Sequence, residues 1–260
     1  MPKMFLSNMV LRDLLKQSTY EEKLSLTKIL NKSQTKPYDY IKLQEEICLE
    51  GGHWLFNKQR GQGTGYLDIL DDILDKLEIS NPYSYQIEIK YFDEINNLNY
   101  NKEISIQKGI NYALESEEKI IIKLLELIYN QLNDTQKQEF DKQVINVAKQ
   151  FDSNASLHLQ GMTSLMLLGH LGGFATYTFL TTSLSVISLG SLGFGAYTTA
   201  TSLLSIVMGP IGWTGLGLAG IYTMGKPSYE KLIPIVAIIG TIRQRIIYEE
   251  DKGNLNGIFK

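Results

Sequence analysis

From Ser153 to Gly225 the chain contains no Asp, Glu, Lys or Arg, although charged residues make up 20% of the whole. A helix at a protein surface turns a polar face to water, so an uncharged run of this length has two homes, the packed interior of a protein or the hydrocarbon of a bilayer. Its first part, Ser164 to Leu189, is long enough to span a membrane as a helix, at about 1.5 Å per residue against about 30 Å of hydrocarbon. Ser191 to Met208 is a second candidate, and Ile211 to Met224 a shorter third one beyond the Gly209-Pro210 break. Small residues recur at the spacing where helices touch, Gly169 with Gly173, Ala196 with Ala200, and Gly209 with Gly212 and Gly215. Such positions let backbones approach closely, in lipid or in a dense bundle.

Two features count against a permanent span. The segments are rich in Gly, Ser and Thr, and His170 would be penalised at mid-bilayer. No Lys or Arg separates the first two candidates. Lys142 and Lys149 before the run, and Lys226, Lys231, Arg243 and Arg245 after it, would all stay on the cytoplasmic side if an even number of segments inserted. The stretch reads as a hairpin of marginal hydrophobicity. Its candidate lipid or core contacts are Gly169, His170, Gly172, Gly173, Gly193, Gly195, Gly209, Pro210, Gly212, Trp213 and Gly215.

With 43% hydrophobic residues in 260, the chain can build a substantial core. A net charge of -3 gives no electrostatic reason to bind nucleic acid, although Lys226 to Lys260 is basic and the first 152 residues carry the acidic excess. One cysteine, Cys48, provides no internal disulfide and fits a reducing compartment. The opening has too short an apolar run before Arg12 and Asp13 for a secretory signal, so residence on the cytoplasmic side is expected.

The remaining periodicity predicts a mainly all-α protein, a multi-helix bundle around the Gly-rich apolar hairpin. Residues 1–50 read as an N-terminal helical region, with Val10, Leu11, Leu14 and Leu15 on one face and Leu24, Leu26, Ile29 and Leu30 on the next. Ser18 and Glu21 have capping-box spacing. Residues 51–152 form a charged helical region with an inserted segment at about 81–115. There Tyr85, Ile87, Ile89 and Tyr91 alternate with polar residues, and Ile104 and Ile106 offer a second strand, for a small β-hairpin near 83–107. Asp134 reads as the cap of a helix whose apolar positions are Phe140, Val144, Val147 and Phe151. Residues 153–225 are the charge-free hairpin, and residues 226–260 a C-terminal helix and tail. Pro234 reads as lying in the first turns of that helix, where a missing amide costs little.

Between the first helices and the insertion lies a distinctive glycine turn. Leu67, Ile69, Leu70, Ile73, Leu74 and Leu77 make a helical stripe opposite Asp68, Asp71, Asp72 and Asp75, which read as its solvated face. The preceding Gly61-x-Gly63-x-Gly65 with Arg60 invites a phosphate-loop reading. It matches neither the Walker nor the dinucleotide pattern, and a tight inter-helix turn is the better account. His53 and Trp54 read as packing beneath that turn, because one His with no partnered nucleophile is a weak catalytic signal.

The segments EICLEGGHWLFNKQRGQGTGYLDILDD, NDTQKQEF, GPIGW and PSYEKLIPIVAIIGTIR resemble the bacterial YaaW family, in the same order and over about Phe5 to Arg245. The turn residues that carry the likeness are Gly51, Gly52, Arg60, Gly61, Gly63 and Tyr66, and the 81–115 region falls outside it as an insertion. Members of that family are distantly grouped with ubiquinol-cytochrome c chaperone proteins. The resemblance implies an all-helical protein working near a membrane and transfers no catalytic residue.

The leading expectation is a membrane-associated helical protein with an insertable hairpin, pore formation being its extreme form. Membrane lipid is the expected partner, and the location is cytoplasmic, peripheral to or inserted in the inner membrane. The alternative is a soluble chaperone or assembly factor with the hairpin as buried core, binding a protein client or a second copy of itself. No catalytic motif, cofactor or metal site is expected.

Overall fold

The computed structural model describes residues 2–52, 63–80, 102–151, 166–168, 173–182 and 228–258. Among these the chain is helical with no strand: α1 Pro2–Gln17, α2 Tyr20–Leu30, α3 Tyr40–Glu50, α4 Tyr66–Lys76, α5 Lys102–Gln131, α6 Asp134–Phe151, α7 Gly173–Thr182 and α8 Tyr229–Ile258. The proposed hairpin near 83–107 needs correction in its second half. Ile104 and Ile106 lie in α5, a continuous helix from Lys102 onward, and Tyr85 to Tyr91 lie outside the described residues.

The chain forms two compact units, Met1–Ile120 with Tyr222–Ile239, and Ile121–Ile221 with Gly240–Lys260. In the first, α3 packs on α1, α2 and α4, and α1 also packs on α4. The apolar stripes meet as their spacing requires. Leu11 and Leu15 of α1, Leu26 of α2, Leu43 and Ile47 of α3, and Ile69, Leu70, Ile73 and Leu74 of α4 are fully buried. Each such side chain contributes about 1.5–3 kcal/mol by leaving water, which is why the amphipathic pattern decides which faces close. A polar tie joins the layers: Arg12 Nε donates to Gln44 Oε1 at 2.9 Å.

Helix ends follow local chemistry, shifted by one residue from expectation. The first capping box is Thr19 with Glu22, their reciprocal bonds measuring 2.7 and 3.3 Å. Ser18 instead turns its hydroxyl back to the Leu14 carbonyl, at 3.0 Å, and closes α1. Two hydroxyl residues followed by two glutamates make both registers chemically equivalent, so tertiary context chooses between them. Likewise α6 is capped by Asn133, whose side chain accepts from the Gln136 amide at 2.9 Å while Gln136 Oε1 accepts from the Asn133 amide at 3.1 Å. Asp134 then occupies the first turn, where its charge favours the helix dipole. In α8 Pro234 is the sixth residue, past the turn where a missing amide is harmless, and the helix nevertheless continues through it.

The end of α4 carries a Schellman motif. The Ile79 amide donates to the Leu74 carbonyl at 2.9 Å and the Glu78 amide to the Asp75 carbonyl at 3.2 Å, with Glu78 at φ 55°. A side chain in this left-handed conformation is strained, so Glu78→Gly is expected to stabilise the protein by about 0.5–1 kcal/mol. Urea melts of the two forms check this, and a lower midpoint for the variant would contradict it.

In the second unit, α7 lies against α6. The apolar face of α6 buries Phe140, Val144, Val147 and Ala148, while Phe151, expected on the same face, is 41% exposed at the helix end.

Candidate functional site

The glycine turn is built as a seam between backbones. Helix α3 ends at Gly51, whose amide donates to the Ile47 carbonyl, and the returning chain lays Gly63 against the last turn of α3. A Cβ on Gly63 would fall on the Cys48 carbonyl and the Leu49 amide, and one on Gly51 on the buried Ile69 side chain. The Thr64 amide donates to the Cys48 carbonyl at 2.8 Å, so it is committed to the seam rather than aimed at an anion. Gly65 then caps α4 without a side-chain bond. Arg60, Gly61, His53 and Trp54 lie outside the described residues.

At the same end of α3, the Glu50 carbonyl accepts the Ser228 amide at 3.2 Å, and the Glu50 carboxylate pairs with Lys231. An orphan carbonyl at one helix end thereby meets an orphan amide at another helix start, with opposite dipole ends adjacent.

Sequence reading missed a reciprocal pairing between α4 and α5. Tyr66 of α4 donates its hydroxyl to Glu117 Oε1 at 2.7 Å, both residues fully buried, and Tyr112 of α5 donates to Asp71 Oδ1. Each helix supplies a tyrosine and, five residues later, a carboxylate, and the two pairs match in reverse order. Asp71 is therefore not part of a solvated face: it holds the Tyr112 hydroxyl, while Asp72 and Asp75 are exposed. Tyr66 was singled out in the sequence, but Tyr112 and Glu117 were not. Their signal was the repeated Tyr-x4-acid spacing in two candidate helices.

Next to Glu117, the Ser116 hydroxyl is buried without a hydrogen-bond partner among the described residues. Burial first, then the fields of Asp72 and Asp75, holds the Tyr229 phenol above its ordinary range. Tyrosine hydroxyls donating to carboxylates can hold helices in register but leave no activated nucleophile. Among the described residues, no cluster of three His, Cys, Asp or Glu is placed to hold a metal ion.

Cys48 has a thiol pushed up to about 12 by burial. The unfolded chain loses that proton near pH 9 while the folded chain keeps it, so stability is full below pH 9 and falls as pH rises toward 12. The loss is expected to approach about 1 kcal/mol per pH unit. Denaturant midpoints at pH 8 and 10 should separate in the parent and come together in Cys48→Ala; equal separation in both would refute this assignment.

Of the charge-free run, residues 166–168 and α7 are described and helical, and α7 is ten residues long against about 20 for a span. It begins at Gly173 and buries Ala175, Thr176, Tyr177 and Phe179. Phe179 meets Phe140 of α6 edge-on, with centroids 4.8 Å apart at 63°, and Phe140 meets Tyr129 at 5.1 Å and 76°. Thr176 Oγ1 donates to the Leu168 carbonyl at 3.3 Å. Tyr177 lies directly over Gly240 of α8. Among the described residues, no helix is long and apolar enough to cross a membrane.

Gly169, His170, Gly172, Gly193, Gly195, Gly209, Pro210, Gly212, Trp213 and Gly215, with the second and third candidate spans, lie outside the described residues. Of the basic residues flanking the run, Lys231 is paired with Glu50, Arg245 pairs with Glu249 at 2.8 Å, and Arg243 is buried.

No known family model matches the chain, and no solved structure matches it. It is similar to the UPF0174 protein of Helicobacter pylori (strain J99), at 24% identity over 227 residues covering 84% of this chain and 78% of the relative.

Proposed function

We propose that this is a membrane-associated helical protein in which the uncharged run from Ser153 to Gly225 exchanges between packing on the protein's own helices and contact with lipid. The observation that carries the reading is that run itself, of spanning length, joined directly to α6, which has one apolar face. In this reading the charged helices stay on the cytoplasmic side and hold the ends of the run, and the chain keeps company with the YaaW proteins it resembles. Pore formation is the extreme case, reached only if several copies insert together.

A second reading, a soluble assembly factor acting on a protein client, draws support from α7. There Ala175, Tyr177 and Phe179 are buried in protein and the Thr176 hydroxyl is satisfied internally, as in an ordinary core.

Thiol labelling separates the two. The buried, protonated Cys48 reacts slowly near neutral pH, so a maleimide reports on Ser183→Cys. The membrane reading expects salt-resistant recovery of the protein with membranes and protection of that cysteine until detergent is added. Full recovery in the soluble fraction, with labelling unchanged by detergent, would end it in favour of the second.

A further inference from the structure

We infer that Tyr177 and Gly240 form a latch that holds α7 on the protein, and that opening this latch is the step that commits the charge-free run to lipid. The inference rests on the membrane-associated reading above and adds to it the place where exchange is controlled.

Among the helices α1 to α8, α7 alone carries no Asp, Glu, Lys or Arg, so it alone can leave for hydrocarbon without burying a charge. Phe179 is held edge-on by Phe140, and Tyr177 covers Gly240. Glycine inside a helix weakens it relative to alanine, yet Gly240 stands in the middle of α8 among buried isoleucines, Ile239 and Ile242. The missing side chain is used there: an added Cβ would meet the Tyr177 hydroxyl and the ring carbons beside it. The Thr176 bond to Leu168 ties α7 to the helical residues 166–168 before it, so movement of α7 carries them along. The contact of Tyr177 with Gly240 is steric, and it can be opened without altering any charge.

The test compares the parent, Gly240→Ala, Tyr177→Leu and the double variant, by amide hydrogen exchange and by flotation with vesicles of phosphatidylethanolamine and phosphatidylglycerol. Crowding at position 240 should speed exchange of the α7 amides by about fivefold or more while α3 and α4 are unchanged, and should raise the floated fraction. Tyr177→Leu, which removes the ring and adds nothing, should act in the same direction, and it stands in if Gly240→Ala does not fold. In the double variant the new methyl takes part of the space given up by the ring, so both readouts should fall below those of either single variant.

Unchanged α7 exchange in both single variants overturns the latch. Faster exchange with flotation equal to that of a floating parent also overturns it, and leaves the membrane reading standing. If neither the parent nor any variant floats, the membrane reading fails and the latch with it.

Discussion

Replacing Gly63 with alanine is expected to destabilise the first unit by about 3 kcal/mol, the upper range for forcing an extra carbon into a packed interior. The added Cβ would coincide with the Cys48 carbonyl group and the Leu49 amide, and backbone of a helix cannot turn aside as a side-chain tip can. Moving the returning segment away would break the Thr64 to Cys48 hydrogen bond at 2.8 Å and separate α4 from the end of α3. Gly51→Ala is the internal comparison. Its Cβ would meet the Ile69 side chain, which can shift at the expense of its neighbours, so a smaller loss of about 1–2 kcal/mol is expected. Because two units need not unfold together, the protection of α3 and α4 amides against exchange is the appropriate measurement. Equal protection in the parent and Gly63→Ala would mean the seam is not as close as described.

The second large effect lies in the Tyr66 to Glu117 pair. Tyr66→Phe removes one hydroxyl and leaves a fully buried carboxylate short of a donor, which is expected to cost about 1.5–3 kcal/mol. Tyr112→Phe removes the matching bond to Asp71, but that pair is only partly buried and water can substitute, so a smaller loss is expected. Adding Glu117→Gln to Tyr66→Phe distinguishes a lost bond from lost packing. The neutral amide is cheaper to leave buried, so the double variant should cost less than the sum of the single changes. Additive losses would mean that the hydroxyl acts on something other than Glu117.

Much of the architecture was legible in the residues. The stripe from Leu67 to Leu77 buries as its spacing requires, and so does the face of α1 made by Val10, Leu11, Leu14 and Leu15. Errors arose where local chemistry offered two equal answers. Ser18 and Thr19 can both cap a helix, Asn133 and Asp134 likewise, and Ile104 and Ile106 have strand spacing within a segment that also continues the α5 pattern. At the candidate site, the glycine run read as a tight turn, and of it Gly63 and Gly65 are among the described residues. Which backbone it would touch depends on α3, a dozen and more residues earlier in the chain, and no local rule carries that information.

The sequence by itself determined the mainly helical class, the amphipathic faces of α1, α4 and α6, and a charge-free run that water alone cannot accommodate. These follow from period and composition, properties of the chain read along its length. Only the tertiary structure decided that Asp71 and Glu117 receive tyrosine hydroxyls, that Gly63 lies on the Cys48 backbone, and that Tyr177 rests on Gly240. Each of these joins residues more than a dozen positions apart. Their energies depend on which groups lose water together, and that is settled when the helices pack.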